Sequence, residues 1–306
     1  MKRRMIALAL VLLLACAGHA ESGQDSGPVY VENEWNLVEG SLDISGGIPE
    51  DAGGMLAAIR EAGVLRVGTE PCFPPQEFID PALSGQAQYV GSDVELARRV
   101  AERMGVALEI IPMEFTHVLD AVADGECDLV ISALSYIPDR AAKVTMSKGY
   151  HFSEGGVGSG LLIRAADAGT ITGLESLKGL NIAAQSGSLQ EALAAQNISE
   201  YREFRRPDAM QSVYDAVSSG LADAAIVDVE STRSYVENNP EKGLALVEGV
   251  HFSLEPQFDG DRVAAKKGEL QLMYFVNGVI DEILEKGEYR KWYDEYEAYA
   301  KRIDAE

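Results

Sequence analysis

From residue 55 onward, apolar residues fall into two alternating patterns. Short runs at 64–68, 108–111, 129–134, 181–184 and 221–227 are almost continuously apolar, the mark of strands buried on both faces of a parallel sheet. Between and after them, apolar positions three and four apart predict helices over 55–62, 91–104, 115–123, 210–218, 229–238, 270–285 and 289–302. A further strand is expected near Leu161, and helices at 174–177 and after Gly187. Strand, helix and strand in succession form βαβ units, so parallel sheets flanked by helices follow. The glycine-rich stretch 151–160 (HFSEGGVGSG) interrupts the alternation, and a second set of units begins behind it. The polar stretch 248–261 keeps neither period and reads as an irregular return. The expectation is an α/β chain of two lobes, each a mostly parallel sheet flanked by helices. Residues 55–155 start lobe 1, 156–250 form lobe 2, and 251–306 return to lobe 1 and end in helices.

This layout places polar residues where strands end. The loop 69–75 (TEPCFPP) cannot continue a helix or a central strand, because its prolines lack the donor. Glu70 and Phe73 therefore sit beyond a strand's carboxyl end, and Ser135 does the same after the run 129–134. Pro138 suits the first turn of a following helix. Arg140 then lies in that first turn, on the unfavourable side of the helix dipole, where an anion is favoured. It reads either as an anion-binding guanidinium or as a solvated charge beside Asp139. Asp228 likewise reads either as the N-cap of the helix from Val229 or as a ligand residue.

Composition narrows the partners. The whole chain carries a formal charge of -23, which argues against nucleic acid and against adhesion to anionic lipid. Lys2, Arg3 and Arg4 precede the apolar run 5–15, a secretory leader over 1–20 that is too short to span a membrane. Leu13, Leu14, Ala15 and Cys16 resemble a bacterial lipobox, although Leu14 is larger than the residue usual there. Lipidation at Cys16 would tie the protein to the membrane; plain cleavage after Gly18, His19 and Ala20 is the alternative. Either route exports the chain, to the periplasm or the outer face of the cell membrane. The acidic, aperiodic stretch 21–54 suits a tether. Cys72 follows one strand and Cys127 precedes another, at opposite ends of a parallel sheet, so two free thiols are expected.

The residues Gly91, Asp93, Val94, Glu95, Leu96, Val100 and Ala101 resemble the signature helix of the bacterial extracellular solute-binding proteins of family 3, amino-acid receptors of ABC importers. The phrases LRVGTEPCFPPQEF, DLVISALSYIPDR, LKGLNIAAQSGS and GLADAAIVDVES are similar to that family in the same order, and the likeness spans roughly 64–300. It implies a type II periplasmic-binding-protein-like fold, two lobes hinged by crossing segments that close on one ligand. Arg140 would fork onto an amino acid's α-carboxylate, aided by backbone amides at Ser135 and, from the other lobe, near Ser188 and Leu189. Asp228 would take the ammonium group, and Ser132 would support it. A zwitterion leaving water needs both charges answered, and guanidinium to carboxylate is the strong bidentate form. Phe73 would stack on the ligand side chain, and Gln185 falls in the third matched phrase. Without the resemblance, Ser132 reads as a small buried strand residue and Phe73 as core packing.

Glu70, Phe73, Gln76 and Ser92 bear on which amino acid is bound. Glu70 stands where an aspartate is common and points to a basic or polar side chain. Ser92 replaces the bulky residue that forms the second wall of the side-chain slot, and Gln76 replaces a frequent phenylalanine; together they suggest a wider, more polar site. The expected partners are an amino-acid ligand and an ABC transporter permease, with the protein acting as a monomer and with no cofactor. Some relatives on this fold are enzymes, such as periplasmic cyclohexadienyl dehydratases. No carboxylate pair here has the spacing of an acid/base dyad, His117, His151 and His251 lack an evident nucleophile partner, and no Cys/His cluster has metal spacing. A non-enzymatic receptor is therefore the main expectation.

Overall fold

The computed structural model describes residues 29–30, 54–152, 158–252 and 259–303. The leader, Cys16 and most of the 21–54 stretch lie outside the described residues. Strand β1 (Val29–Tyr30) is the exception, and it pairs in parallel with a strand introduced below.

Helix α1 (Met55–Ala62) ends at Gly63, whose φ of 72° is the left-handed conformation glycine tolerates. Strand β2 (Val64–Thr69) follows, then a small antiparallel sheet of β3 (Cys72–Phe73), β4 (Glu77–Ile79) and β5 (Tyr89–Val90). Its strands are too short to show a period in sequence. Helix α2 (Ser92–Met104) starts hard against this sheet, with Ser92 N–H donating to the Pro75 carbonyl and Asp93 N–H to that of Gln76. Gly91 makes the approach possible: at its φ of 129°, a Cβ would lie 2.1 Å from the Gln76 carbonyl oxygen.

Strand β6 (Ala107–Pro112), helix α3 (Val118–Asp124), strand β7 (Leu129–Val130), helix α4 (Pro138–Lys143) and strand β8 (Val144–Met146) complete the first pass. The apolar run 129–134 predicts a six-residue strand, but β7 stops at Val130. The chain turns because Ala133 adopts a φ of 45° and its N–H donates to the buried Asp93 carboxylate at 2.9 Å.

The second lobe begins with β9 (Ser159–Arg164) and continues through β10 (Asn181–Ala183), α5 (Leu189–Asn197), β11 (Glu203–Arg205), α6 (Met210–Ser218), β12 (Ala224–Asp228), α7 (Val229–Asn238) and β13 (Leu244–Phe252). The stretch 174–177 is a 3-10 turn. The irregular return expected from 248 begins as strand instead, since β13 extends to Phe252 beside β9. Its partner ladder, interrupted by a register shift, masks the period in sequence. Strand β14 (Ala264–Lys266) and helices α8 (Leu270–Glu285) and α9 (Glu288–Ile303) return the chain to the first lobe.

Each lobe thus carries a mixed sheet, in the orders β6-β2-β7-β14-β8 and β1-β13-β9-β12-β10-β11. The antiparallel intruders, β14 and β9, are the first strands after each crossing between lobes. The crossings lie side by side: Tyr150 N–H donates to the Asp261 carbonyl and Asp261 N–H to that of His151, both at 2.9 Å. Lobe 1 is held by α2, α8 and α9 packed on β2, with Leu65, Leu96, Val100, Leu272, Ile280 and Tyr289 in one apolar cluster. Burial of such side chains stabilises by roughly 1.5–3 kcal/mol each. Cys72 and Cys127 are free.

Candidate functional site

The carboxyl ends of β2, β7, β10 and β12 converge on one cavity between the lobes, where ligands collect in open α/β sheets. Its free volume is about 50 Å³. The first lobe contributes Glu70, Phe73, Gln76, Ser132, Ser135 and Arg140 to the wall; the second contributes Gln185, Ser188, Leu189 and Asp228. These are all the sequence-predicted candidates except Ser92.

Arg140 is 5 % exposed and lies in the first turn of α4. Its Nη1 donates to the Ser135 carbonyl at 2.8 Å and its Nη2 to the Gly187 carbonyl of the other lobe at 2.7 Å. The Phe115 ring backs the guanidinium at 5.4 Å. Carbonyls satisfy donors without neutralising charge, and no carboxylate among the described residues is within ion-pair distance. Burial accordingly lowers the Arg140 pKa to about 10, with the Asp261 charge acting the other way. Across the cavity, Asp228 does both things that its position in sequence allows. It accepts from the Ser231 N–H at 2.9 Å as the N-cap of α7, and it lines the cavity. Ser188 similarly caps α5, accepting from Glu191 N–H at 3.0 Å, and the start of that helix, Ser188 to Gln190, lines the cavity.

The remaining wall is acidic. Gln185 donates to both carboxylate oxygens of Glu70, at 3.2 and 2.9 Å, a second link between lobes. Burial raises the Glu70 pKa, with Gln185 opposing. Ser132 Oγ accepts from Glu70 N–H and donates to Glu77 Oε1, each at 3.0 Å. Gln76 donates to Asp261 Oδ2 at 3.0 Å. Burial pushes the Asp261 carboxyl up to about 7, against the pull of His151.

Ser92 is not among the residues lining this cavity. It is fully buried behind the Gln76 wall, and its Oγ donates to Tyr289 Oη at 3.1 Å. Tyr289 arrives from α9, and its hydroxyl donates in turn to Asp93 Oδ1. Sequence reading passed over Glu77, Phe115, Ala133, Gln190, Met210 and Asp261, which also line the cavity. Glu77 lies in β4, a strand too short to show a period, and Asp261 falls in the aperiodic return, so neither carries a periodic signal.

Residues 65–298 match the family described as bacterial extracellular solute-binding proteins, family 3. The chain belongs to that family. Among its relatives, the L-cystine-binding protein TcyJ of Escherichia coli K12 is 27% identical over 234 residues, 76% of this chain and 82% of TcyJ. The cyclohexadienyl dehydratase of Pseudomonas aeruginosa is 26% identical over 186 residues, 61% of this chain and 67% of that enzyme. The crystal structure of the amino acid ABC transporter substrate-binding protein AbpA from Streptococcus pneumoniae, bound to L-arginine, superposes with a TM-score of 0.71. It is 31% identical and covers 81% of this chain and 99% of AbpA. The family 3 fold is thus the type II periplasmic-binding-protein fold, and most matched relatives are binding proteins, which are exported. Among the described residues no helix is long and apolar enough to cross a membrane.

Proposed function

We propose that this protein is the extracytoplasmic receptor of an ABC importer, binding an amino acid with a polar or basic side chain between lobes that close on it. The observation that carries this reading is the buried Arg140 guanidinium, bonded among the described residues to two carbonyls, lining the same cavity as Asp228 from the opposite lobe. A ligand α-carboxylate replaces those carbonyls with a bidentate ion pair, and its ammonium group answers Asp228. Ser135 and the start of α5 at Ser188 and Leu189 add amide donors. The Gln185–Glu70 bond, which the ligand leaves in place, links the two lobes beside the site and supports their closing on it. The partner is an ABC permease, the receptor acts as a monomer, and the Cys16 route would tether it by lipid through the 21–54 stretch. Loss of metabolic fatty-acid labelling in Cys16→Ala tests that anchor.

The enzymatic alternative draws on the dehydratase relative and on Glu70, a buried acid whose raised pKa is of the kind a general acid needs. Charge argues against it: a dicarboxylate such as prephenate would enter a cavity lined by four carboxylates and one guanidinium. A thermal-shift screen decides between them. One or a few amino acids should raise the melting temperature, as mass action requires; consumption of prephenate without stabilisation by any amino acid would overturn the receptor reading.

A further inference from the structure

Glu230, on α7 of the second lobe, is gripped from the first lobe at one oxygen and left unfilled at the other. Its Oε1 accepts from Arg290 Nη1 of α9 at 3.2 Å. Its Oε2 is buried, has no hydrogen-bond partner among the described residues, and lies 3.6 Å from His151 Nε2. That separation is within ion-pair reach and just beyond a hydrogen bond. His151, on the first crossing, is held to the first lobe. Its ring stacks on Tyr293 of α9, with 4.6 Å between centroids and 17° between planes, and its carbonyl accepts from the Asp261 N–H of the second crossing. Rotation of one lobe against the other therefore changes the distance from Glu230 to both partners. The groups facing His151 are Glu230 from α7, Asp228 from the end of β12, Asp261 from the second crossing, and Tyr289, Arg290 and Tyr293 from α9, with Asp93 of α2 behind Tyr289. Arg290, the cation among them, pairs with Glu230 and, at 2.7 Å, with Asp294. His151 is not among the residues lining the ligand cavity, so it has no direct hold on the ligand.

We propose that His151, Glu230 and Arg290 form a proton-dependent latch across the hinge, in which protonated His151 closes onto the open oxygen of Glu230 and holds the lobes together. This rests on the receptor reading and adds a regulation to it: the amino acid is held more tightly in mildly acidic than in mildly alkaline surroundings. A charged imidazole gives Glu230 a charge-assisted hydrogen bond, whereas a neutral ring brings no second cation to a buried carboxylate. Burial lowers the His151 pKa, but the Glu230 contact and the charges of Asp261 and Asp228 more than offset it, so the net direction is upward from the ordinary 6.5. Burial raises the Glu230 pKa, but His151 and Arg290 more than offset it, and the net direction is downward. Parting the lobes takes Glu230 away from His151 and lets the His151 pKa fall. Closure therefore takes up a proton between the open and closed values, and it weakens as pH rises through the closed one.

Calorimetric titration tests the latch. The proteinogenic L-amino acids and L-cystine are screened by thermal shift, and the one that raises the melting temperature most is titrated at about pH 6 and about pH 8 into the wild type, His151→Gln and Glu230→Gln. The ratio of affinity at the lower pH to that at the higher should be about 5-fold or more larger in the wild type than in either variant. Any pH dependence owed to Asp261 remains in all three proteins and cancels from that comparison. In the wild type itself, the His151 imidazole followed by NMR should titrate at a higher pH with the amino acid bound than without, a readout that stands even where a variant fails to fold. Equal ratios in the wild type and the folded variants would overturn the latch while leaving the receptor intact, even if the variants bind more weakly at both pH values, as a purely structural role would have it. A His151 titration unmoved by binding would do the same. If no amino acid binds at either pH, the receptor reading falls and the latch with it.

Discussion

Two buried carboxylates near the hinge, Asp93 and Glu77, differ in how far the protein fills their acceptors. Asp93 is 1 % exposed and fully engaged: Oδ2 accepts from the Ala133 N–H at 2.9 Å and the Tyr150 hydroxyl at 2.7 Å, and Oδ1 accepts from the Tyr289 hydroxyl. It ties α2 to the bend after β7, to the first crossing and to α9. Glu77 is equally buried and its residue lines the cavity, yet its Oε2 is sealed in the interior with no hydrogen-bond partner among the described residues. A buried acid whose acceptors are filled by the protein holds the fold, and one with an acceptor left open costs stability where it stands.

The contrast can be broken or sharpened by substitution. Asp93→Ala strands two tyrosine hydroxyls and the Ala133 N–H, and should cost roughly 3–5 kcal/mol of stability in urea unfolding. A cost near that of an ordinary surface change would mean that Asp93 does not organise the hinge. Ser92→Phe comes next. Overpacking against Tyr289 should destabilise by about 1–3 kcal/mol, with ligand preference altered only through displacement of Tyr289; a narrowed ligand range at unchanged stability would restore Ser92 to the slot wall.

A pH series distinguishes Asp261 from groups that merely hold the fold. Its carboxyl is pushed up to about 7 from an ordinary 3.8. Between those values the folded state holds more protons than the unfolded chain, so this group's contribution makes stability fall as pH rises from about 4 to 7. Apo melting temperatures should therefore decline less steeply with pH in Asp261→Asn than in the wild type. Parallel curves for the two proteins would remove Asp261 from that account. The smallest effect belongs to Glu77→Gln, which keeps an acceptor for Ser132 and removes an uncompensated buried acid. Its stability should match or exceed the wild type to within about 1 kcal/mol; a loss on the Asp93 scale would class Glu77 as structural.

The same pair shows what sequence could and could not reveal. Helices α1, α2, α6, α7 and α8 were legible because each shows one apolar face to a core, at a period that survives without context. The run 129–134 misled because burial alone made it apolar: only two residues hydrogen-bond as strand, and the rest bend towards Asp93. Strand β13 was hidden by its register shift, and β3 to β5 by their brevity. Glu70, Arg140 and Asp228 could be picked out because each stands where a strand ends or a helix begins. Glu77 and Asp261 could not, since their meaning depends on which side chains tertiary folding brings beside them. The Ser92 hydroxyl's partner was hidden for the same reason, because Tyr289 lies 197 residues away in sequence.

The account turns on Arg140 as the grip for an amino acid's α-carboxylate. Calorimetric titration of wild type and Arg140→Ala with the amino acid that most raises the melting temperature tests it directly. Loss of a buried, charge-assisted bidentate pair should weaken binding by about 100-fold or more, with the variant still folded. Affinity within a few-fold of the wild type would show that the carboxylate is held elsewhere.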